Sequence, residues 1–144
     1  MSEPHVNPSD DELRALLESA RTIAIVGASS NPERSSHGIM RRMLAVGYHV
    51  IPVNPKETEV LGQRAVASLG DIEGRVDIVD VFRRSEETPA IADQAIAIGA
   101  RALWLQEGVV NEDAAARAKA AGLVVVMDRC IGSMHRALGV APRR

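Results

Sequence analysis

The residues best suited to chemistry stand together in one stretch. Gly27-Ala28-Ser29-Ser30-Asn31-Pro32-Glu33-Arg34-Ser35-Ser36-His37-Gly38 follows directly on the apolar run Ile23-Ala24-Ile25-Val26. Between a buried strand and a helix, such a loop can aim backbone N–H groups at a phosphate. The first amides of a helix lack partners and carry a partial positive charge. Gly27 lets the backbone approach a bound group closely. Ser29, Ser30, Ser35 and Ser36 add hydroxyl donors and Arg34 a cation. His37 can bond a ligand or merely start the helix. The same residues also read as a plain Gly/Ser turn with solvated hydroxyls.

Several phosphate motifs are excluded. A G-x-G-x-x-G fingerprint is absent, because the next glycine after Gly27 is Gly38. No Gly-Lys-Ser or Gly-Lys-Thr follows, so this is no P-loop. The next apolar run ends in Val53-Asn54-Pro55-Lys56, where an NAD site would place an acid for the ribose hydroxyls. Asn54 and Lys56 there suit a ligand carrying an extra phosphate, a feature that NADP shares.

Other candidates sit after later apolar runs. Arg83-Arg84 follows Phe82 and reads either as a cofactor contact or as a solvated charge pair. Gln106-Glu107-Gly108 follows Leu103-Trp104-Leu105, with Trp104 expected in the core and Glu107 on a polar rim. His5, His37, His49 and His135 show no metal spacing, and His49 is expected to be structural. No G-x-S-x-G elbow exists, and no catalytic residue set is legible. Cys130 reads as a quiet thiol or, beside Arg129, as one of lowered pKa able to form a mixed disulfide.

The elements that must position these residues follow from period and punctuation. Ser9-Asp10-Asp11-Glu12 predicts a capping box opening a helix over about 9–20, with Leu13, Leu16, Leu17 and Ala20 on one face. A strand over Ile23–Val26 leads through the loop to a helix bearing Ile39, Met40, Met43 and Leu44, closed by Gly47. Strands are predicted at Tyr48–Val53, Val76–Phe82, Ala102–Gln106 and Leu123–Met127. Helices are predicted over about Glu86–Ile98, from the Asn111 cap to Gly122, and over about Ser133–Leu138. Lys56–Gly74 is looser, with an extended piece near Arg64-Ala65-Val66 and a helical turn at Ser68–Ile72. Alternation of this kind predicts an α/β, Rossmann-like, doubly wound fold. Its five-stranded, mainly parallel sheet would carry helices on both faces as a three-layer sandwich. No repeat or linker interrupts the chain, so residues 1–144 are expected to form one domain.

Composition narrows the partners. The chain has 144 residues, a formal net charge of −2, a single cysteine and 2% aromatic residues. A net acidic balance argues against broad attraction to nucleic acid or anionic membrane. Three aromatic residues are too few for base-stacking platforms. The polar start, Met1 to Pro8, lacks the apolar core of a signal peptide, and a cytoplasmic, reducing setting is expected. A homo-oligomer is compatible with this composition, and no protein partner is specified by it.

Five blocks in order carry a resemblance. They are Ile25-Val26-Gly27-Ala28-Ser29, Val50-Ile51-Pro52-Val53-Asn54-Pro55, Val76-Asp77-Ile78-Val79-Asp80-Val81-Phe82-Arg83, Leu103-Trp104-Leu105-Gln106-Glu107-Gly108-Val109 and Met127-Asp128-Arg129-Cys130. Together they resemble the small CoA-binding-domain proteins and the N-terminal CoA-binding domain of the succinyl-CoA synthetase α subunit. The resemblance implies a site for coenzyme A or acyl-CoA. Gly27, Ala28 and Ser29 would meet its phosphates. Asn54, Pro55 and Lys56 would lie at the adenosine end, with Lys56 close to a phosphate. Phe82 and Arg83 would flank the adenine or the pantetheine arm, and Gln106, Glu107 and Gly108 would line the thiol-bearing end. The synthetase's catalytic histidine belongs to a second domain that this chain lacks. A noncatalytic, regulatory binding role is therefore expected ahead of an NAD(P)-binding redox sensor or oxidoreductase. An interaction protein with a vestigial pocket is the third reading.

Overall fold

The computed structural model describes residues 3–142; Met1 and Ser2, at the head of the polar start, and Arg143 and Arg144 lie outside them. The Ser9 capping box forms as the sequence predicts. The Ser9 hydroxyl accepts from the Glu12 amide at 3.2 Å and opens α1 (Asp10–Ser19), which buries Leu13, Leu16 and Leu17. The continuous apolar runs become parallel strands because both their faces are covered. These are β1 (Thr22–Val26), β2 (His49–Val53), β5 (Ile78–Val81), β6 (Ala102–Leu105) and β7 (Val124–Val126), in the order β2-β1-β5-β6-β7.

Helices α2 (Ser35–Ala45), α3 (Thr88–Ala97), α4 (Glu112–Ala120) and α5 (Ile131–Ala137) complete the layers. Ile23, Ile25, Ile78 and Trp104 point to the face covered by α1, α2 and α5. Ala24, Val79, Val81, Leu103 and Leu105 point to the face covered by α3 and α4. The α/β, Rossmann-like, three-layer arrangement is therefore as predicted. The chain leaves β1 through α2 to β2, then returns past β1 to β5. Crossovers thus diverge between β1 and β5, and a crevice opens at their carboxyl ends.

Three boundaries differ from the sequence-based expectation. The α2 helix begins at Ser35, so Ser35-Ser36-His37-Gly38 form its first turn and not the end of a loop. Its N-cap is Arg34, which is extended (φ −80°, ψ 138°) and makes no side-chain cap. The last helix, α5, begins at Ile131, two residues before the expected start. The looser Lys56–Gly74 stretch holds a small hairpin, β3 (Glu59–Val60) with β4 (Gln63–Arg64), turned by Leu61 and Gly62 at positive φ. Beyond it Val66 bridges to Val53, and Leu69–Asp71 forms a single helical turn.

Candidate functional site

The crevice at the switch point has a volume of about 800 Å³. Gly27 shapes its floor. Its φ of +90° is one that L side chains rarely adopt, and an added Cβ would stand 2.6 Å from the Phe82 carbonyl oxygen. The Gly27 amide donates to Val53 O at 2.9 Å. The glycine thus lets the ends of β1, β2 and β5 crowd together, a closer reason for it than approach to a ligand. Asn54 locks the same junction: its Nδ2 donates to Ala28 O, and its Oδ1 accepts from the Lys56 amide, both at 2.9 Å. Asn54 therefore positions the loop and the lysine, though it also faces the crevice.

One wall is the start of α2. Ser29, Arg34, Ser35 and Ser36 line it, and the helix end carries no side-chain cap. Pro55 and Lys56, at the exit of β2, also line the crevice. Neither Arg34 nor Lys56 forms an ion pair among the described residues. A helix start without a side-chain cap and two cations without ion pairs among the described residues, around one cavity, favour an anion. Arg83 also lines the crevice, but its guanidinium is held by Glu87 at 2.6 Å. The Arg83 hydrogen bond keeps the Glu87 carboxyl below its ordinary pKa.

Phe82, Gln106, Glu107 and Cys130 line the other end. Gln106 is buried, and its Oε1 accepts from the Ile131 amide at 3.1 Å, joining β6 to the first turn of α5. Burial pushes the Cys130 thiol up, yet hydrogen bonds from Ser133, Gln106 and the Gly132 amide outweigh it and leave the pKa lowered. Arg129 is not among the causes, contrary to the sequence-based reasoning; its guanidinium donates to Asp128 O. Beneath the floor lies Asp80, fully buried, with neither carboxyl oxygen hydrogen-bonded among the described residues. Burial, and then the charge of Cys130, hold its pKa well above the ordinary value.

Four residues singled out from sequence do not line the crevice. Ala28 turns its methyl into the core at 0% exposure. Ser30 gives its amide and hydroxyl to Glu57 at 2.7 and 3.0 Å. His37, expected to lean toward a ligand, is buried on the core side of α2 because the helix starts three residues before Gly38. Gly108 forms a turn at φ +84° whose amide donates to Asp128 at 2.7 Å. The crevice also takes in Gly38, Ile39 and Val109, together with Arg84 and Cys130, each read from the sequence either as a reactive or contact residue or as a bland one. The early start of α2 brings in Gly38 and Ile39, and an N-cap signal at residue 34 would have revealed it. Trp104 is core, as expected, with its Nε1 donating to Arg129 O at 2.9 Å. No cluster of three or more metal-ligating side chains occurs among the described residues. No helix among them is long and apolar enough to cross a membrane.

A family model described as CoA binding domain matches residues 21–136. The uncharacterized protein YneT of Bacillus subtilis (strain 168) is 45% identical over 129 residues, covering 90% of this chain and 96% of YneT. A hypothetical protein from Pyrococcus horikoshii OT3 of known structure superposes with a TM-score of 0.90 at 38% identity, covering 96% of this chain and 97% of that one. The α subunit of an ADP-forming acetate–CoA ligase II from Pyrococcus furiosus is 37% identical over 59 residues, which is 40% of this chain and 13% of the ligase subunit.

Proposed function

The chain belongs to the CoA-binding-domain family, and we propose that its crevice binds coenzyme A or an acyl-CoA without transforming it, as a regulatory module in the cytoplasm. The observation that carries this reading is the start of α2, without a side-chain cap, sharing one crevice with Arg34 and Lys56, two cations with no ion pair among the described residues. CoA presents a pyrophosphate and a ribose phosphate, anions that such a site is built to hold. Lys56 at the exit of β2, in place of an acid, supports a phosphorylated ribose over a free one. Glu107 lines the crevice, but no nucleophile–base–orienter set is assembled there among the described residues, which supports binding over catalysis.

Thermal unfolding in the presence of CoA, dephospho-CoA, NADPH and NADH tests the reading. CoA at about 100 times its Kd is expected to add about 2.7 kcal/mol, a rise of roughly 5–10 °C in Tm for a domain of this size. NADPH and NADH are expected to give less, and acetyl-CoA to remain intact on prolonged incubation. No shift at millimolar CoA rejects the reading. A larger shift with NADPH transfers the crevice to a nicotinamide cofactor.

A further inference from the structure

Cys130 holds a position that phosphate binding does not use. It is the N-cap residue of α5, without a side-chain cap, and lines the crevice beside Gln106, on the side of the sheet away from Lys56. The ends of β2 and β6 are three strand spacings apart in the sheet, about 14 Å. A ligand anchored by phosphates at Lys56 therefore needs an extended arm to reach the sulfur, and CoA carries such an arm with a thiol at its tip.

A second observation marks the same end. Asp80 pairs in register with Ile25 and Trp104, so its side chain faces the α1, α2 and α5 side of the sheet. Phe82 is two residues on and lines the crevice directly above it. The Asp80 carboxyl is fully buried and has no hydrogen-bond partner among the described residues; burial, and then the charge of Cys130, raise its pKa. An unpartnered carboxyl is expensive in a packed core.

We propose that Cys130 is a thiol–disulfide exchange site at the inner end of the crevice, where it takes up CoA as a mixed disulfide. This inference rests on the CoA reading above. The Cys130 thiolate attacks one sulfur of CoA disulfide, and a new S–S bond joins Cys130 to one CoA. The original S–S bond breaks, and the second CoA leaves as a thiolate that gains the proton Cys130 gave up. Cys130 sulfur is oxidised by one unit and the leaving CoA sulfur reduced by one, a displacement that excess CoA thiol reverses. Binding of the nucleotide half raises the local concentration of the disulfide, so exchange is selective for CoA over other disulfides.

Intact mass spectrometry of the reduced, full chain with CoA disulfide, against glutathione disulfide at equal concentration, tests the proposal. The chain has one cysteine, so any adduct is located by its existence. The expected result is one CoA per chain, removed by dithiothreitol and formed at least tenfold faster than the glutathione adduct. Equal rates, or no adduct, overturn the proposal. Thermal shift with reduced CoA in excess dithiothreitol is run in parallel. A shift without adduct removes the exchange site and leaves the binding reading standing, whereas loss of both removes the reading itself.

Discussion

Asp77 and Asp80 stand three residues apart, and their surroundings push them in opposite directions. Burial raises the Asp77 pKa, but the Arg21 and Thr22 amides and Arg101 outweigh it, and the net shift is downward. Those amides donate to its Oδ2 at 2.8 and 3.1 Å, tying the starts of β1 and β5. A lowered folded-state pKa gives stability that is present above the unfolded value, about 4, and lost as pH falls through the folded one. Asp77→Asn is thus expected to cost about 1–2 kcal/mol at pH 7 and progressively less below about pH 4, by urea unfolding. Asp80 has the reverse sign. Its raised pKa means the folded state keeps a proton that the unfolded state loses, so wild-type stability falls as pH rises above about 4. Asp80→Asn is expected to gain on wild type there by up to about 1.4 kcal/mol per pH unit, until the folded-state carboxyl ionises. Parallel pH profiles for either variant and wild type contradict the assignment. The sequence placed both aspartates in an apolar strand block, but their opposite roles depend on which amides and which helix the fold brings to each.

At the scale of elements, the crevice wall depends on α2 lying close to α5. Gly132, in the first turn of α5, makes this approach possible: an added Cβ would stand 3.1 Å from Ile39 Cδ1 and 3.4 Å from Arg42 Cδ. Arg42 Nε also donates to Gly132 O at 3.3 Å. Both neighbours are ends of flexible side chains, and alanine gains about 1 kcal/mol in helix propensity over glycine. Gly132→Ala is therefore expected to fall within about 1 kcal/mol of wild type, while Gly132→Leu overpacks the crossing and costs about 1–3 kcal/mol. Denaturant midpoints for the pair check this, and a harmless leucine would mean α5 is free to move away. Neither the start of α5 nor that of α2 was legible. Residue 34 is an arginine with no capping oxygen, so the cap signal falls on the serines after it. The 59–64 hairpin was hidden for a similar reason. Its turn is Leu61-Gly62, and a leucine at φ +50° is not the Asn or Asp that usually announces such a turn. The five parallel strands and the capping box of α1 were legible because burial on both faces and reciprocal capping each write a local pattern.

For the whole molecule, charge sets the terms of binding. A chain of net charge −2 has no long-range attraction for a polyanion such as CoA. On the proposed reading, affinity comes from the local field of Arg34, Lys56 and the α2 amides, a field that reaches about a Debye length, roughly 8–10 Å at physiological salt. The elements bring these groups to one cavity, so a ligand bound there would meet charges that are far apart in the sequence. Lys56→Ala removes one cation while leaving the Asn54 side-chain bond to Ala28 O in place. It is expected to weaken CoA about tenfold, near 1.4 kcal/mol, by isothermal titration. If Lys56 meets the ribose phosphate, the loss is confined to CoA, and dephospho-CoA binds wild type and variant alike. The variant's CoA affinity should also fall less steeply with added salt, since one fewer charge pair is screened. An equal loss for both ligands would instead move Lys56 to the pyrophosphate, and an unchanged affinity would leave the α2 end and Arg34 as the whole anion site.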